Sequence, residues 1–252
     1  FIYDSINQYR SDNTVSEGQM TDSATPTFSA TSTITDHERA SDQNIGTIIS
    51  AVVDRDAIEY AVGSSVTANA AAVYFTGDDN VSSGTIMNFF VDTDRASLPN
   101  KGTITAVSAA GWATTDLTET TGTKFFVEFT GAVTNVSEVL IGSKLSFEVE
   151  PDVNIQSSID YENSIQRSLG GVEYALNVNS GQEVTTIGFQ NISSTFKDNL
   201  TTMQDALKGE AKKFVWYDGS SFHWVRLDKP MTFTEIADGR FSTQLVLRQQ
   251  IQ

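Results

Sequence analysis

At 252 residues, with a formal net charge of −16 and no cysteine, the chain is long enough for two domains and too acidic to favour a phosphate backbone as partner. Without thiols, a zinc–thiolate site, a cysteine nucleophile and a disulfide staple are excluded, and the lack of disulfides argues against a secretory protein. No apolar run is long enough to span a bilayer, no leader segment is visible, and the wealth of Ser, Thr, Val and aromatic residues favours a mainly β fold.

Residues 1–44 read as an N-terminal arm and a polar segment. Phe1, Tyr3, Ile6 and Tyr9 alternate loosely, as in a strand or an arm added to another sheet. Ser11–Asn44 has few anchors (Val15, Met20, Phe28, Ile34) and is expected to be mobile when free, held extended by a neighbour, or an irregular strand around Thr27–Ile34. From Ile45 short strands follow: Ile48–Val53, Ala57–Val62, Ala70–Phe75, Thr85–Val91, Gly102–Val107, Lys124–Phe129 and Lys144–Val149. Turn clusters such as Gly63-Ser64-Ser65 and Gly77-Asp78-Asp79-Asn80 separate them, which predicts a β-sandwich or jelly roll over residues 45–152. Pro151–Ser158 is a polar connection to a second domain, residues 159–252.

That second domain opens with Asp160–Ser168, Tyr174–Val178 and Val184–Phe189, bent at Gly170-Gly171 and Ser180-Gly181. Phe196, Leu200, Met203 and Leu207 then recur at helical spacing on one face. Thr195 with Asp198 reads as a capping box and Gly209 as the C-terminal stop. Lys213–Tyr217 and Phe222–Leu227 flank Asp218-Gly219, the strongest two-residue hairpin signal, and a second hairpin, Met231–Ile236 and Phe241–Leu247, turns at Asp238-Gly239. Isolated hairpins are marginal in water, so the helix is expected to cover one face of this α+β sheet.

Chemistry is sparse. His37 lies between Asp36 and Glu38, and His223 alternates with aromatics on a strand, where a sheet-surface role is favoured over that of a base. There is no Gly-x-Ser-x-Gly elbow, His-Glu-x-x-His or P-loop, so no catalytic residue and no cofactor is expected. Asp54 with Asp56, Asp78 with Asp79, and Asp92 with Asp94 are acid pairs that could hold Ca²⁺, but solvated loop acids are the commoner reading and no metal is expected. The Asn-x-Ser/Thr sites at Asn80, Asn135, Asn191 and Asn199 read as chance matches in so Asn- and Ser/Thr-rich a chain. Trp112, beside Gly111 in a loop, either stacks on a sugar face or plugs the end of the sandwich; the plug is favoured because large aromatics are usually well buried. Trp216 and Trp224, on adjacent strands, read as core or subunit-interface residues.

The order helix, Gly-containing joint, apolar strand, turn, strand and closing hairpin, carried by Gly209, Lys212, Phe214, Trp216, Arg226 and Leu227, resembles the lambda-type phage minor tail proteins and the ring-making part of siphophage distal tail proteins. Ile58-Glu59-Tyr60, Gly63-Ser64 and Ala70–Phe75, with Lys124–Phe129 and Val136–Gly142, resemble a discoidin-like (galactose-binding-like) jelly roll, although the usual Trp and Asp-Leu-Gly of that family are not intact. The first resemblance implies a structural virion protein, assembled in the host cytoplasm, that closes into a homo-oligomeric ring of six copies at the tail tip. The tail tube protein and other tip or hub proteins would be its partners, and Phe1, Tyr3, Trp216 and Trp224 would line the subunit interface. Ring closure satisfies each copy's open sheet edge with its neighbour's. The charge follows the same division: residues 1–159 hold 21 Asp and Glu against 7 Lys and Arg, and residues 160–252 hold 11 against 9, as expected of a second part that packs on other subunits and equally of a neutral monomeric domain. The alternative reading is a carbohydrate-binding adhesin or accessory module that recognises host glycans. A hydrolase, the third, needs two facing carboxylates that no motif identifies.

Overall fold

The computed structural model describes residues 1–3, 15–19, 34–51, 56–77, 86–92, 100–106, 109–151, 155–161, 163–167, 173–177 and 181–250. They fall into two compact units, Phe1–Leu145 with Tyr217–Phe222, and Ser146–Trp216 with His223–Gln252. The fold is mainly β. Among the described residues no helix is long and apolar enough to cross a membrane.

The first unit is a β-sandwich organised by one long antiparallel pair. Its strands are β1 (Ile2–Tyr3), β2 (Val15–Gln19), β3 (Ile49–Ala51), β4 (Asp56–Phe75), β5 (Ile86–Asp92), β6 (Gly102–Thr105), β7 (Gly111–Phe129) and β8 (Val133–Lys144), with a 3-10 turn at His37–Ser41. β4 and β7 pair from Asp56↔Phe129 to Phe75↔Gly111, with register shifts after Ala61 and after Ala68. The first half of β4 also takes β2, and the matching half of β7 takes β5, which carries β6. The second half of β4 takes β8, which carries β1 and β3. One strand pair therefore runs through both layers and turns the corner at its irregularities, as strands that change sheet do. The inward positions change parity at that corner. Ile58, Tyr60 and Val62 precede it, Ala71, Val73 and Phe75 follow it, and all share one core with Met87, Phe89, Phe125, Val127, Phe129 and Val139.

Three expectations are corrected here. Gly63-Ser64-Ser65 is no turn between two strands; it lies exposed inside β4, where the strand bends. The expected strand Lys124–Phe129 begins thirteen residues earlier, at Gly111. Lys144–Val149 is not a strand, because β8 ends at Lys144; Leu145 still exchanges backbone hydrogen bonds with Phe1, and Leu145, Phe147 and Val149 keep their alternation and are half-buried. The described parts of the expected arm and polar segment are held by this same chain. Ile2 pairs with Lys144, the Phe1 nitrogen donates to the Leu145 carbonyl at 2.9 Å, and Ile34 and Ala40 join the core. Ile6, Tyr9, Met20, Phe28 and the strand reading over 27–33 lie outside the described residues.

The second unit holds β9 (Gln156–Asp160), β10 (Asn163–Arg167), β11 (Glu173–Asn177), β12 (Gln182–Ser193), the helix α1 (Ser194–Ala206), β13 (Lys213–Tyr217), β14 (Phe222–Leu227), β15 (Phe233–Ala237) and β16 (Arg240–Gln249). β16 is central, with β12 along one side and β14 and β15 on the other; β9 flanks β12, and β10 with β11 makes a separate hairpin. The predicted helical face is buried through Phe196, Leu200 and Met203, joined by Ala206 and Leu207. The cap differs from the expectation: Ser193, not Thr195, accepts from the Phe196 N–H at 3.0 Å. β12 runs directly into the helix, and Glu148 holds the same serine, its carboxylate accepting from the Ser193 hydroxyl at 2.7 Å. Gly209, at φ 69°, closes the other end by donating to the Gln204 carbonyl at 2.9 Å.

The two hairpin turns separate in kind. Asp218-Gly219 belongs to a four-residue loop, Asp218–Ser221, not a two-residue turn. The Asp218 carboxylate accepts from the Ser220 and Ser221 N–H groups, each at 2.7 Å, and so stabilises the wider turn. Asp238-Gly239 does form the two-residue connection, with Ala237 paired to Arg240 and a register shift beside it.

Candidate functional site

Trp112 is the second residue of β7, on a strand instead of the expected loop. It pairs directly with Tyr74 of β4, and Tyr74 pairs on its other side with Glu138 of β8, so the three form a row across one face. Their neighbours Val73, Phe75 and Ala113 face the core, which puts this row on the opposite face of the layer. The Trp112 and Tyr74 ring centroids are 5.2 Å apart with planes at 60°, a tilted contact in the range of favourable aromatic pairs. Tyr74 and Glu138 are buried, whereas Trp112 is only half-buried.

The backbone is closely packed at this end of β4. Gly77, at φ 79°, ends the β4 side of the site, and a Cβ there would lie 3.1 Å from the Ala110 nitrogen. Glycine is what lets the two chain segments approach at this point. Thr76 donates its N–H to the Asn135 carbonyl at 2.9 Å, tying the end of β4 to the strand beyond it. The arrangement offers a flat, partly exposed aromatic surface on a hydrogen-bonded strand. Such a surface can take the apolar face of a sugar ring without losing much side-chain entropy on binding. Trp112 is not a member of the described core cluster, which Phe125, Phe129, Tyr60 and Phe75 help to fill.

The other candidates are dispersed. Phe1, expected at a subunit interface, and Trp216 and Trp224, expected in the core or at such an interface, are buried in the single chain; Tyr3 contributes its backbone to β1, paired with Ser143. Trp216 lies 5.4 Å from His223, centroid to centroid, so the histidine is one member of an aromatic pair on adjacent strands. His37 lies 3.4 Å from Glu38 in the 3-10 turn. Of the acid pairs, Asp54, Asp78, Asp79 and Asp94 lie outside the described residues, while Asp56 is buried and Asp92 ends β5. Among the described residues no group of three or more His, Cys, Asp or Glu is placed to hold a metal ion. Tyr74 was missed from sequence. Its signal was present, since alternation within Ala70–Phe75 sets Tyr74 opposite to Val73 and Phe75, but the partner strand was not in view.

No protein-family model and no curated protein matches the chain. Among solved structures, it is similar to the CBM32 of AlyQ in complex with 4,5-unsaturated mannuronic acid, at 22% identity over 44% of this chain and 93% of that one, TM-score 0.35. It is also similar to a Streptococcus pneumoniae fucose binding module, at 14% identity over 54% and 94% of the two chains, TM-score 0.38. A third is the family 32 CBM from C. perfringens NanJ in complex with galactose, at 10% identity over 54% and 95%, TM-score 0.37. The reading of the Trp112 site rests on its own geometry.

Proposed function

We propose that the sandwich unit is a glycan-binding module and that a saccharide ring docks on Trp112. The observation that carries this reading is the position of the indole: half-buried at the start of a paired strand, braced by Tyr74, and outside the described core cluster. A tryptophan kept for stability alone belongs in the core, where its large apolar area stabilises most. The test is a glycan array on the whole protein, followed by calorimetry on the hits with wild type, Trp112→Ala and Trp112→Phe. Loss of the indole should weaken binding by about ten-fold, corresponding to ~1.4 kcal/mol, and Phe should restore part of it. Binding that is equal in Trp112→Ala and wild type would overturn the proposal.

A second reading, a structural protein of a phage tail tip, is supported by a different half of the chain. There α1 is followed directly by the hairpin of β13 and β14 and the closing hairpin of β15 and β16. It expects a closed ring of copies joined to the tail tube, which native mass spectrometry reads directly. A strict monomer at high protein concentration, alone and with tail tube protein, would remove it.

A further inference from the structure

A second site lies in the other unit, on a face of its sheet. A cavity of about 320 Å³ opens over β12, β16 and β15, at the lower end of the roughly 300–1,000 Å³ range of small-ligand sites. Its lining includes Gly188 and Gln190 of β12, Ser242 and Gln244 of β16, Thr234 of β15 and the preceding Thr232. Gly188 pairs with Gln244 and Thr234 with Ser242, so these side chains share one face. The alternate residues Ile187 and Leu245 are buried and outside its lining, whereas the buried Phe189 and Thr243 also border the cavity.

Three features of the backbone and lining converge there. Gly188 interrupts the interior of a strand, a position where glycine weakens the strand and commonly marks close approach of a ligand or another backbone. Immediately beyond, β12 carries a register shift between Phe189 and Ile192, with Asn191 at φ 60°; bulges of this kind re-aim side chains and are over-represented beside functional sites. The lining carries no charged side chain and, beside Phe189, offers amides and hydroxyls. Gln190, Gln244, Thr232 and Thr234 are exposed, and Thr243 is already held by donating to the Thr232 carbonyl at 2.8 Å, which fixes the wall instead of filling the cavity. Paired donors and acceptors without charge match the hydroxyl groups of an uncharged sugar and offer nothing to neutralise a carboxylate or phosphate.

We propose that this cavity is a binding site for a short neutral saccharide, separate from the Trp112 site and not dependent on it. The test uses the full chain carrying Trp112→Ala, so that binding at the sandwich cannot be mistaken for binding here. Lactose, maltotriose, cellotriose and chitotriose serve as neutral probes and trigalacturonic acid as the charged one. Side-chain amide resonances of Gln190 and Gln244 are followed by NMR during titration. At least one neutral probe should shift them saturably, with affinity about five-fold lower in Gln190→Ala or Gln244→Ala, as loss of one hydrogen-bonding side chain predicts. Gly188→Val should abolish the shifts by adding bulk to the lining; should that variant fail to fold, the two exposed glutamine variants carry the test alone. No saturable shift with any neutral probe at millimolar concentration, equal affinity in both glutamine variants, or preference for the uronic acid would each overturn the proposal. None of these outcomes bears on binding at Trp112.

Discussion

Replacing Arg248 by methionine tests what holds the second unit's sheet together at one edge. The Arg248 side chain is 12% exposed, and its Nε donates to Asp228 Oδ1 at 2.5 Å. Its Nη2 donates to Asp160 Oδ2 at 2.8 Å and its Nη1 to Gln182 Oε1 at 3.3 Å. One guanidinium therefore joins β9, β12, β16 and the end of β14. Hydrogen bonding to Asp228, opposed by burial and reinforced by Asp160, raises the Arg248 pKa above its already high value. The two carboxylates are not equivalent, since Asp228 is 15% exposed and Asp160 47%. Breaking a largely buried pair by removing one partner costs about 3–5 kcal/mol, because the other charge is left in a poorly solvated place. An exposed partner is worth about 0–1 kcal/mol. Arg248→Met should therefore destabilise the unit by about 3 kcal/mol, Asp228→Asn somewhat less, and Asp160→Asn by under about 1 kcal/mol. Urea unfolding followed by tryptophan fluorescence gives the comparison. With a slope of about 2 kcal/mol per molar, the Arg248→Met midpoint should fall by roughly 1.5 M at unchanged slope. The sign of the pH dependence follows from the raised pKa. A cation's contribution is present below its unfolded-state pKa and lost only as pH rises through the higher folded value, so the Arg248 contribution should hold constant from about pH 7 to about pH 10. Equal shifts for Asp228→Asn and Asp160→Asn, or a smaller shift for Arg248→Met than for Asp160→Asn, would refute the reasoning.

Other positions give independent checks. Ser193→Ala removes the helix cap and the hydroxyl that Glu148 accepts from, leaving the backbone N–H of residue 193 on Glu148, and should cost about 1–2 kcal/mol by urea unfolding, while Thr195→Ala costs little. Gly102 sits where a Cβ would meet Leu117 Cδ2 at 2.6 Å and the Asp116 carbonyl oxygen at 3.1 Å; Gly102→Ala should destabilise the sandwich by about 1–3 kcal/mol, measured as a fall in its thermal midpoint.

Where local patterning governs, the sequence by itself determined the structure. The buried face of α1 follows from the spacing of Phe196, Leu200 and Met203, and β13 and β14 begin and end where their apolar runs do. These elements need only nearby residues, so their signals survive without knowledge of partners. The choice among Ser193, Ser194 and Thr195 as cap was a different matter: all three carry a hydroxyl, and Glu148, forty-five residues away in the chain, meets Ser193. Tertiary structure also decided that β4 and β7 are long bent strands, because only pairing with each other carries them through exposed Gly63–Ser65 and the parity change in the core. Phe147 has the alternation of a strand residue, yet it packs on Phe189 at 4.7 Å and Phe196 at 6.4 Å with no ladder around it. The same holds for both candidate sites. Trp112 and Tyr74 are thirty-eight residues apart, and Gly188 meets Gln244 across fifty-six; only register brings each pair onto one face. Spacing along the chain carries no record of which strands will be neighbours, and neighbouring strands are what make these surfaces.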